Sequence, residues 1–320
     1  MQSRAASSLL AQLSRAIGHE SAQNELRWMQ QAFEKAPAGI HPTARTVKDM
    51  VSRRIRGEPL QYILGSQPFG PLMLAVRPPV LIPRPETEDW ALRLADIASE
   101  TIRSLVPSRP LSILDLCTGT GCIPLLLCHT LPPGSAQATG IDISEDAIKL
   151  ARENAILCGI SVSAGDQPRP NEWPTPLKEN TFKPVLADLL HPDFVRLARL
   201  TPPYHVITSN PPYIPKIEYD RLPTSVKDYE DVRALVGDPD GVALSTLPEA
   251  DRNKGLTFYH RIADLVRDHG LLAAGGTLAL EVGDGQAQDV AAILERTTAM
   301  RRIDVWKDPW EKERVVVARR

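Results

Sequence analysis

The sequence lacks a long apolar run and an excess of charge of either sign. No stretch approaches the ~20 consecutive apolar residues that a membrane-spanning helix needs, and the N-terminus lacks the apolar region of a secretory signal. The 37 Lys and Arg residues nearly balance the 39 Asp and Glu residues, whereas proteins that bind a phosphate backbone usually carry a basic excess. We therefore expect an intracellular, soluble protein with no membrane attachment and no direct nucleic acid partner. A protein or small-molecule partner is favoured.

Cysteine is also scarce, with four residues in the chain: Cys117, Cys122, Cys128 and Cys158. They form no CxxC pair and have no histidine at ligand spacing, so we expect reduced, mostly buried thiols and no metal site. Proline is abundant instead, with 29 residues, roughly twice its usual share. Because proline concentrates in the connecting segments, it predicts stiff loops.

The first 19 residues admit two interpretations. They contain Arg4, Arg15 and no acidic residue before Glu20. Their apolar residues fall on one helical face: Leu9, Leu10, Leu13 and Ile17. This pattern is typical of an organellar transit peptide, and equally of the first amphipathic helix of a folded domain. The residues alone leave both interpretations open.

Apolar periodicity divides the chain into three parts. Helical spacing predicts a small helical domain over residues 1–67, and short extended segments broken by prolines predict a hairpin-like connector over residues 68–85. From residue 86 to residue 320, apolar strands alternate with helices, which predicts a parallel sheet covered by helices on both faces. Polar, proline-containing stretches at 161–183 and 237–254 are predicted as surface insertions.

The strand candidates are short apolar runs at 111–116, 138–143, 184–188, 204–209, 276–282, 301–306 and 313–319. The last two are separated by a short loop, which predicts an antiparallel hairpin at one edge of the sheet.

A glycine-rich turn follows the first of these strands in ILDLCTGTGCI (113–123). Gly119 and Gly121 would let backbone N–H groups come close to a ligand at the C-terminal edge of the sheet, where open α/β sheets bind. A dinucleotide fingerprint would place glycine at positions 117 and 122, where this chain has Cys117 and Cys122, so NAD is disfavoured.

Acidic residues end the next two strands. The carboxylate of Asp142 can accept hydrogen bonds from both hydroxyl groups of an unmodified ribose, and Asp188 ends the next strand candidate. A glycine turn and two acids at successive strand ends predict a nucleoside site without a pyrophosphate cradle, which S-adenosylmethionine fits. The alternative is that Asp142 merely caps the helix beginning near Ser144.

The segment Asn210-Pro211-Pro212-Tyr213 follows strand 204–209 at the same edge. Neither proline has an N–H, and each residue before a proline is held extended, so the stiff loop presents acceptors. If the Asn210 side-chain oxygen and the Pro211 carbonyl each accept one N–H of a planar amide, its nitrogen is oriented toward an electrophile, and Tyr213 can stack on the amide. The alternative is a rigid turn without chemistry.

Motifs along nearly the whole chain resemble the HemK/PrmC family of protein-(glutamine-N5) methyltransferases, which act on peptide chain release factors. The motifs are RRIRGEPLQYILG (53–65), VLIPRPETE (80–88), ILDLCTGTG (113–121), IDIS (141–144), ARENA (151–155), SNPPYIP (209–215), GLTFYHRI (255–262) and ERVVVAR (313–319). The resemblance implies an α/β fold: a Rossmann-like, seven-stranded, S-adenosylmethionine-dependent methyltransferase domain (86–320), preceded by a helical domain (1–67) that docks a release factor. It also implies that the methylated residue is a glutamine in the Gly-Gly-Gln loop of that release factor.

The resemblance also implies roles for particular residues. The cofactor set is Cys117, Thr118, Gly119, Thr120 and Gly121 at the methionine part, Asp142 at the ribose, and Asp188 and Leu189 at the adenine, and it also includes Asn210. The catalytic set is Asn210, Pro211, Pro212 and Tyr213. In it, Asn210 and Pro211 hold the glutamine amide, and Tyr213 packs on that amide opposite Leu81 or Ile82.

The chain departs from the family pattern at several points. Cys117 replaces a glycine, Asp231 replaces a proline, and the insertions at 161–183 and 237–254 are atypical of bacterial members, which favours a eukaryotic, mitochondrial form over a cytoplasmic one. We expect a monomer. Two other functions are weighed: N6-methylation of adenine in DNA or RNA, and a binding protein without catalytic activity on the same fold.

Overall fold

The computed structural model describes residues 2–34, 39–104, 110–163, 178–241, 247–298, 300 and 302–320. Residues 164–177 of the first predicted insertion and residues 242–246 of the second lie outside the described residues. None of the helices in the described ranges combines the length and the apolar character that crossing a bilayer requires.

The N-terminal part is helical. Its helices are α1 (Gln2–Ile17), α2 (His19–Glu34), α3 (Val47–Ile55) and α4 (Leu60–Leu64). They enclose an apolar cluster centred on Leu13, Met29 and Met50, all fully buried. The amphipathic face of residues 9–17 is therefore used for packing in the folded chain. The division of the chain after residue 67 stays a prediction.

A two-stranded hairpin follows α4. It consists of β1 (Ser66–Phe69) and β2 (Leu72–Ala75), paired antiparallel. The buried side chain of Asn154 ties this hairpin to the sheet, because its amide donates to the carbonyls of Ala75 (3.1 Å) and Thr120 (3.0 Å) and accepts from the Ala75 N–H (2.7 Å). The asparagine of the ARENA motif thus links the hairpin to the glycine turn.

The central sheet has eight strands within the described residues, in the order β5-β6-β4-β3-β7-β8-β10-β9. The strands are β3 (Leu111–Leu116), β4 (Ala136–Asp142), β5 (Ser161–Val162), β6 (Thr181–Leu186), β7 (Tyr204–Ser209), β8 (Leu272–Glu281), β9 (Arg302–Lys307) and β10 (Glu313–Arg319). All neighbours are parallel except β10, which runs antiparallel to β8 and β9. The predicted parallel sheet and its antiparallel edge hairpin are confirmed. The two-residue β5 adds an eighth strand to the seven expected.

Helices cover both faces of this sheet, as predicted. One face carries α5 (Pro85–Ser104), α6 (Cys122–Thr130) and α7 (Glu145–Leu157), and the other carries α8 (Phe194–Leu197), α11 (Thr257–His269) and α12 (Ala287–Thr297). The short helices α9 (Lys216–Tyr219) and α10 (Thr224–Lys227) follow β7. Successive strand residues alternate between the two layers, so Ile113 packs into one core and Leu114 into the other.

Strand pairing brings the predicted motifs to one edge. Leu116, the last residue of β3, pairs with Ile141 on one side and with Ser209 on the other. The turn that begins at Cys117 therefore lies between the ends of β4 and β7, next to Asp142 and Asn210.

The predicted bounds of the first insertion, 161–183, were partly wrong, because residues 161–162 and 181–183 belong to strands.

Candidate active site

The turn after β3 has a left-handed backbone at three of its five residues. The φ angles are 61° at Cys117, 53° at Gly119 and 81° at Gly121. The left-handed region costs a non-glycine residue about 1–2 kcal/mol. The backbone at Cys117 therefore favours glycine, which is the residue usual at this position in the family that the sequence resembles. A Cβ on Gly119 would meet no atom within 4 Å, which leaves open space in front of this turn.

Asp142 joins the end of β4 to the glycine turn. Its Oδ2 accepts from the Gly119 N–H and its Oδ1 from the Ser144 N–H, both at 2.9 Å. Burial raises the pKa of Asp142, and these two hydrogen bonds oppose the shift. Helix α7 is capped instead by Ser144, whose Oγ accepts from the Ala147 N–H (3.3 Å). The alternative that Asp142 is the helix cap is therefore wrong.

The Asp142 carboxylate retains acceptor capacity beyond these bonds, because each of its oxygens has a further lone pair. Together with the open space beside Gly119, this arrangement fits a cofactor that carries a ribose.

Asp188 and Leu189 lie beyond β6, which is the neighbour of β4. Asp188 is exposed, and its Oδ1 accepts from the Leu190 N–H (2.9 Å). The adjoining Ala187 N–H donates to the Asp142 carbonyl (2.9 Å), so the Asp188 backbone adjoins that of the predicted ribose acid. The Leu189 side chain, by contrast, is buried in the apolar core.

A deeply buried carboxylate lies under the same turn. Asp115 in β3 accepts a hydrogen bond from the Thr208 hydroxyl at 2.6 Å, and burial raises its pKa to about 7. Three buried oxygens have no hydrogen bond partner in the described structure: Asp115 Oδ2, Thr118 Oγ1 and Thr120 Oγ1. The described residues contain no group of three or more His, Cys, Asp or Glu side chains arranged to hold a metal ion.

The loop Asn210–Tyr213 is fixed from behind. Pro211 and Pro212 are buried, while Asn210 and Tyr213 are half-buried. The Gln286 amide donates to the Tyr213 carbonyl (2.8 Å). Burial also raises the pKa of the Tyr213 hydroxyl, so this ring stays uncharged at neutral pH.

A close approach of backbone to backbone completes this support. A Cβ on Gly255 would lie only 2.0 Å from the Tyr213 carbonyl oxygen, and one on Gly237 would lie 2.5 Å from the Gly255 carbonyl oxygen. Ile214 extends the contact, since its N–H donates to Leu235 and its carbonyl accepts from Gly237. The glycine of the GLTFYHRI motif is therefore a packing requirement of the loop.

A cavity of about 180 Å³ opens in front of the loop. Its lining residues are Leu81, Arg84, Asn210, Tyr213, Ile214, Leu222, Val226, Ala234 and Leu235. Leu81 shares this cavity with Tyr213, whereas Ile82 is buried in a separate cluster with Tyr62 and Val76. A mostly apolar cavity with a few polar groups is the usual setting of a small-ligand or side-chain site.

Behind Asn210 lies a network of polar side chains that sequence reasoning missed. Asn210 Nδ2 donates to Thr87 Oγ1 (3.2 Å), and Thr87 Oγ1 donates to Glu281 Oε2 (2.6 Å). The Trp90 indole N–H donates to the same carboxylate oxygen at 2.8 Å. Thr87 belongs to the VLIPRPETE motif, so the family resemblance was its only signal, and an acidic residue ending the apolar strand β8 was the only hint of Glu281.

A second polar pair borders the cavity. Arg84 Nη2 donates to both carboxylate oxygens of Glu230, at 2.8 and 2.6 Å. The next residue, Asp231, donates its backbone N–H to the Pro79 carbonyl (2.8 Å) and accepts from the Arg233 N–H (2.9 Å). A proline could not make the first of these bonds, so the departure at position 231 adds a backbone contact.

Comparison with known proteins places these motifs in context. A family model described as "Methyltransferase domain" matches residues 108–199. The release factor glutamine methyltransferase of Thermodesulfovibrio yellowstonii is 32% identical over 287 residues, which cover 90% of this chain and 85% of that protein. The mitochondrial MRF1 N(5)-glutamine methyltransferase MTQ1 of Saccharomyces cerevisiae is 32% identical over 250 residues, covering 77% of this chain and 68% of that protein.

A similar solved structure is that of a release factor-specific protein-(glutamine-N5) methyltransferase from Alicyclobacillus acidocaldarius. It is 24% identical in sequence, and the match covers 75% of this chain and 94% of that chain with a TM-score of 0.36.

Proposed function

Because the chain belongs to the release factor glutamine methyltransferase family, we propose that it methylates the side-chain nitrogen of a glutamine in a peptide chain release factor. The methyl donor is S-adenosylmethionine, and the modification supports translation termination. The observation that carries the proposal is the acceptor loop at Asn210, which faces a cavity and adjoins the glycine turn on the neighbouring strand. N6-methylation of adenine and a purely binding role are not favoured.

Asn210 and Pro211 supply the acceptors for the target amide. The nitrogen of a carboxamide is a poor nucleophile because its lone pair is delocalised. We assign one N–H of the glutamine to Asn210 Oδ1 and the other to the Pro211 carbonyl, and Tyr213 packs on the amide plane. Fixing the nitrogen in this way contributes to the proximity effect, whose ceiling is about 7–11 kcal/mol. Pro212 keeps the loop rigid.

The cofactor, when bound, supplies an electrophilic methyl group on sulfur. Residues 117–121 would hold its methionine part, Asp142 its ribose, and Asp188 with Leu189 its adenine. Support for the ribose assignment comes from the free lone pairs of the Asp142 carboxylate and the open space beside Gly119. The role of Asp142 is to bind and orient.

No strong base is required at the loop. The amide nitrogen becomes acidic only after it has gained its methyl group, and its surplus proton then passes to solvent water. This agrees with the neutral character of the loop, whose one ionisable side chain, Tyr213, has its pKa raised by burial.

We further propose that residues 1–67 dock the release factor and that the Gly-Gly-Gln loop of that protein enters the cavity, with the enzyme acting as a monomer. Two large side chains of α2 are exposed, Trp28 at 46% and Phe33 at 44%. Exposed aromatic residues are typical anchors of protein interfaces.

A mitochondrial location is proposed from the printed name of the yeast relative, although other relatives are bacterial. Deleting residues 1–19 would also remove Leu13 from a buried cluster. The better test is therefore a tagged full-length chain in which Arg4 and Arg15 are replaced by glutamine. The wild-type chain is expected in mitochondria and the variant outside them, and cytoplasmic staining of the wild-type chain would contradict the proposal.

The decisive experiment for the activity is the Asn210→Ala variant with radiolabelled cofactor. The wild-type enzyme is expected to label a release factor and not nucleic acid. A release factor whose Gly-Gly-Gln glutamine is replaced should stay unlabelled. Asn210→Ala should lose nearly all methyl transfer while largely keeping its binding of the cofactor. Labelled nucleic acid, or transfer that survives in Asn210→Ala, would refute the proposed function.

A further inference from the structure

The hydroxyl of Thr87 determines which end of the Asn210 side chain faces the cavity. A side-chain amide has two ends of opposite character, an acceptor oxygen and a donor NH2 group. Only the orientation with Oδ1 toward the cavity can accept an N–H from an incoming amide. The neighbours of Asn210 therefore determine whether the loop can accept a hydrogen bond from a substrate amide.

The protons of the network can be assigned one by one. The Trp90 indole is a donor only, so Glu281 Oε2 accepts from it at 2.8 Å. The same oxygen accepts from Thr87 Oγ1 at 2.6 Å, a short distance that agrees with a charge-assisted bond to a carboxylate. A threonine hydroxyl has a single proton. Once that proton is directed to Glu281, the hydroxyl can only accept from Asn210.

The reverse orientation of Asn210 is disfavoured for the same reason. It would place Oδ1 against the lone pairs of Thr87 Oγ1, at the position now held by Nδ2 (3.2 Å). It would also present an NH2 group to the cavity, where a second NH2 group is to be bound. A buried polar group left without a hydrogen bond costs about 1–3 kcal/mol. This cost is enough to favour the orientation with Nδ2 toward Thr87 and Oδ1 toward the cavity.

Three elements hold this network rigid. Thr87 and Trp90 lie three residues apart on the first turns of α5, and Glu281 is the last residue of β8. Thr87, Trp90 and Glu281 are each 1% exposed, so bulk water does not compete for their bonds. Asn210 follows β7, the strand that pairs with β8.

We propose that Thr87, held by Glu281 and Trp90, is a positioning residue that turns the Asn210 oxygen toward the substrate amide. The inference rests on the proposed function and extends it, because the VLIPRPETE segment then serves the methyl transfer itself. Thr87 acts through Asn210 and has no assigned contact with the substrate.

Two substitutions at Thr87 test the inference. Thr87→Val keeps the shape and removes the hydroxyl, whereas Thr87→Ser keeps the hydroxyl. Thr87→Val should lower kcat by about 10- to 100-fold, while KM for the release factor and Kd for the cofactor stay within about threefold. Thr87→Ser should restore kcat to within about threefold of the unmodified protein.

A second pair keeps the test valid if Thr87→Val does not fold. In Glu281→Gln, the side-chain oxygen can still accept from both Trp90 and Thr87, so kcat should change little. Glu281→Leu has a similar volume but no acceptor, and it should lose kcat as Thr87→Val does.

The outcomes separate this inference from the proposed function. If the unmodified protein does not label a release factor, the proposed function fails. If it does, the inference is overturned by normal kcat in Thr87→Val, by an equal loss in Thr87→Ser, or by equal effects of the two Glu281 substitutions.

Discussion

Replacing Gly255 by alanine is expected to have the largest effect of any single added methyl group near the site. The new Cβ would lie 2.0 Å from the Tyr213 carbonyl oxygen and 2.8 Å from the Tyr213 carbonyl carbon. Both atoms belong to the backbone, so no side-chain rotation can relieve the contact. The φ angle of 71° at Gly255 adds the penalty of a left-handed alanine.

The magnitude follows from contact distances. Even close carbon–oxygen contacts in proteins are about 3.3 Å, so the backbone at Tyr213 or at residue 255 has to move by roughly 1 Å or more. Since a misplacement of about 1 Å can cost on the order of 100-fold in rate, we expect kcat/KM to fall by about that factor. The left-handed alanine should by itself cost about 1–2 kcal/mol of unfolding free energy.

Gly270→Ala is the matched control. Gly270 ends α11 with a φ angle of 58°, and its Cβ would meet no atom within 4 Å. It therefore shares the backbone penalty but not the clash. Methyl transfer to a release factor and urea denaturation should show a rate loss for Gly255→Ala alone and a larger loss of stability in that variant. Equal rates and equal stabilities in the two variants would refute the reasoning.

Two further predictions concern buried carboxylates. Asp142→Asn can accept only one of the two backbone N–H groups, so the cofactor-free protein should lose about 1–3 kcal/mol of unfolding free energy and bind the cofactor more weakly; an unchanged Kd in calorimetry would contradict this. The pKa of Asp115 is about 7 in the folded protein and about 4 in the unfolded chain. Because the folded state binds this proton more tightly, the free energy of unfolding should fall as the pH rises from about 4 to about 7, by roughly 4 kcal/mol at most. Asp115→Asn should flatten that slope in urea denaturation, and an unchanged slope would count against the buried acid as its source.

The sequence predicted the features that depend on short stretches of chain. Apolar runs marked β3 and β7 at their observed bounds, and the rule that parallel strands end at one edge brought Cys117–Gly121, Asp142 and Asn210 together. By contrast, the two-residue β5 is too short to show any periodicity, and it lay inside a segment interpreted as an insertion.

Contacts between distant segments could not be predicted from the sequence, for a physical reason. Thr87 and Glu281 are 194 positions apart, and their meeting depends on the packing of α5 against β8, which no local pattern encodes. The sequence marks Gly255 only as the first residue of a family motif. Its approach to Tyr213 exists only once α11 has packed behind β7 and β8.

The central claim is that the loop at Asn210 holds a glutamine amide for methyl transfer, and peptide mass spectrometry tests it most directly. A release factor incubated with S-adenosylmethionine and the purified protein should carry one added methyl group on its Gly-Gly-Gln glutamine, and none when Asn210→Ala replaces the enzyme. A methyl group on another residue, or none with the unmodified protein, would contradict the account.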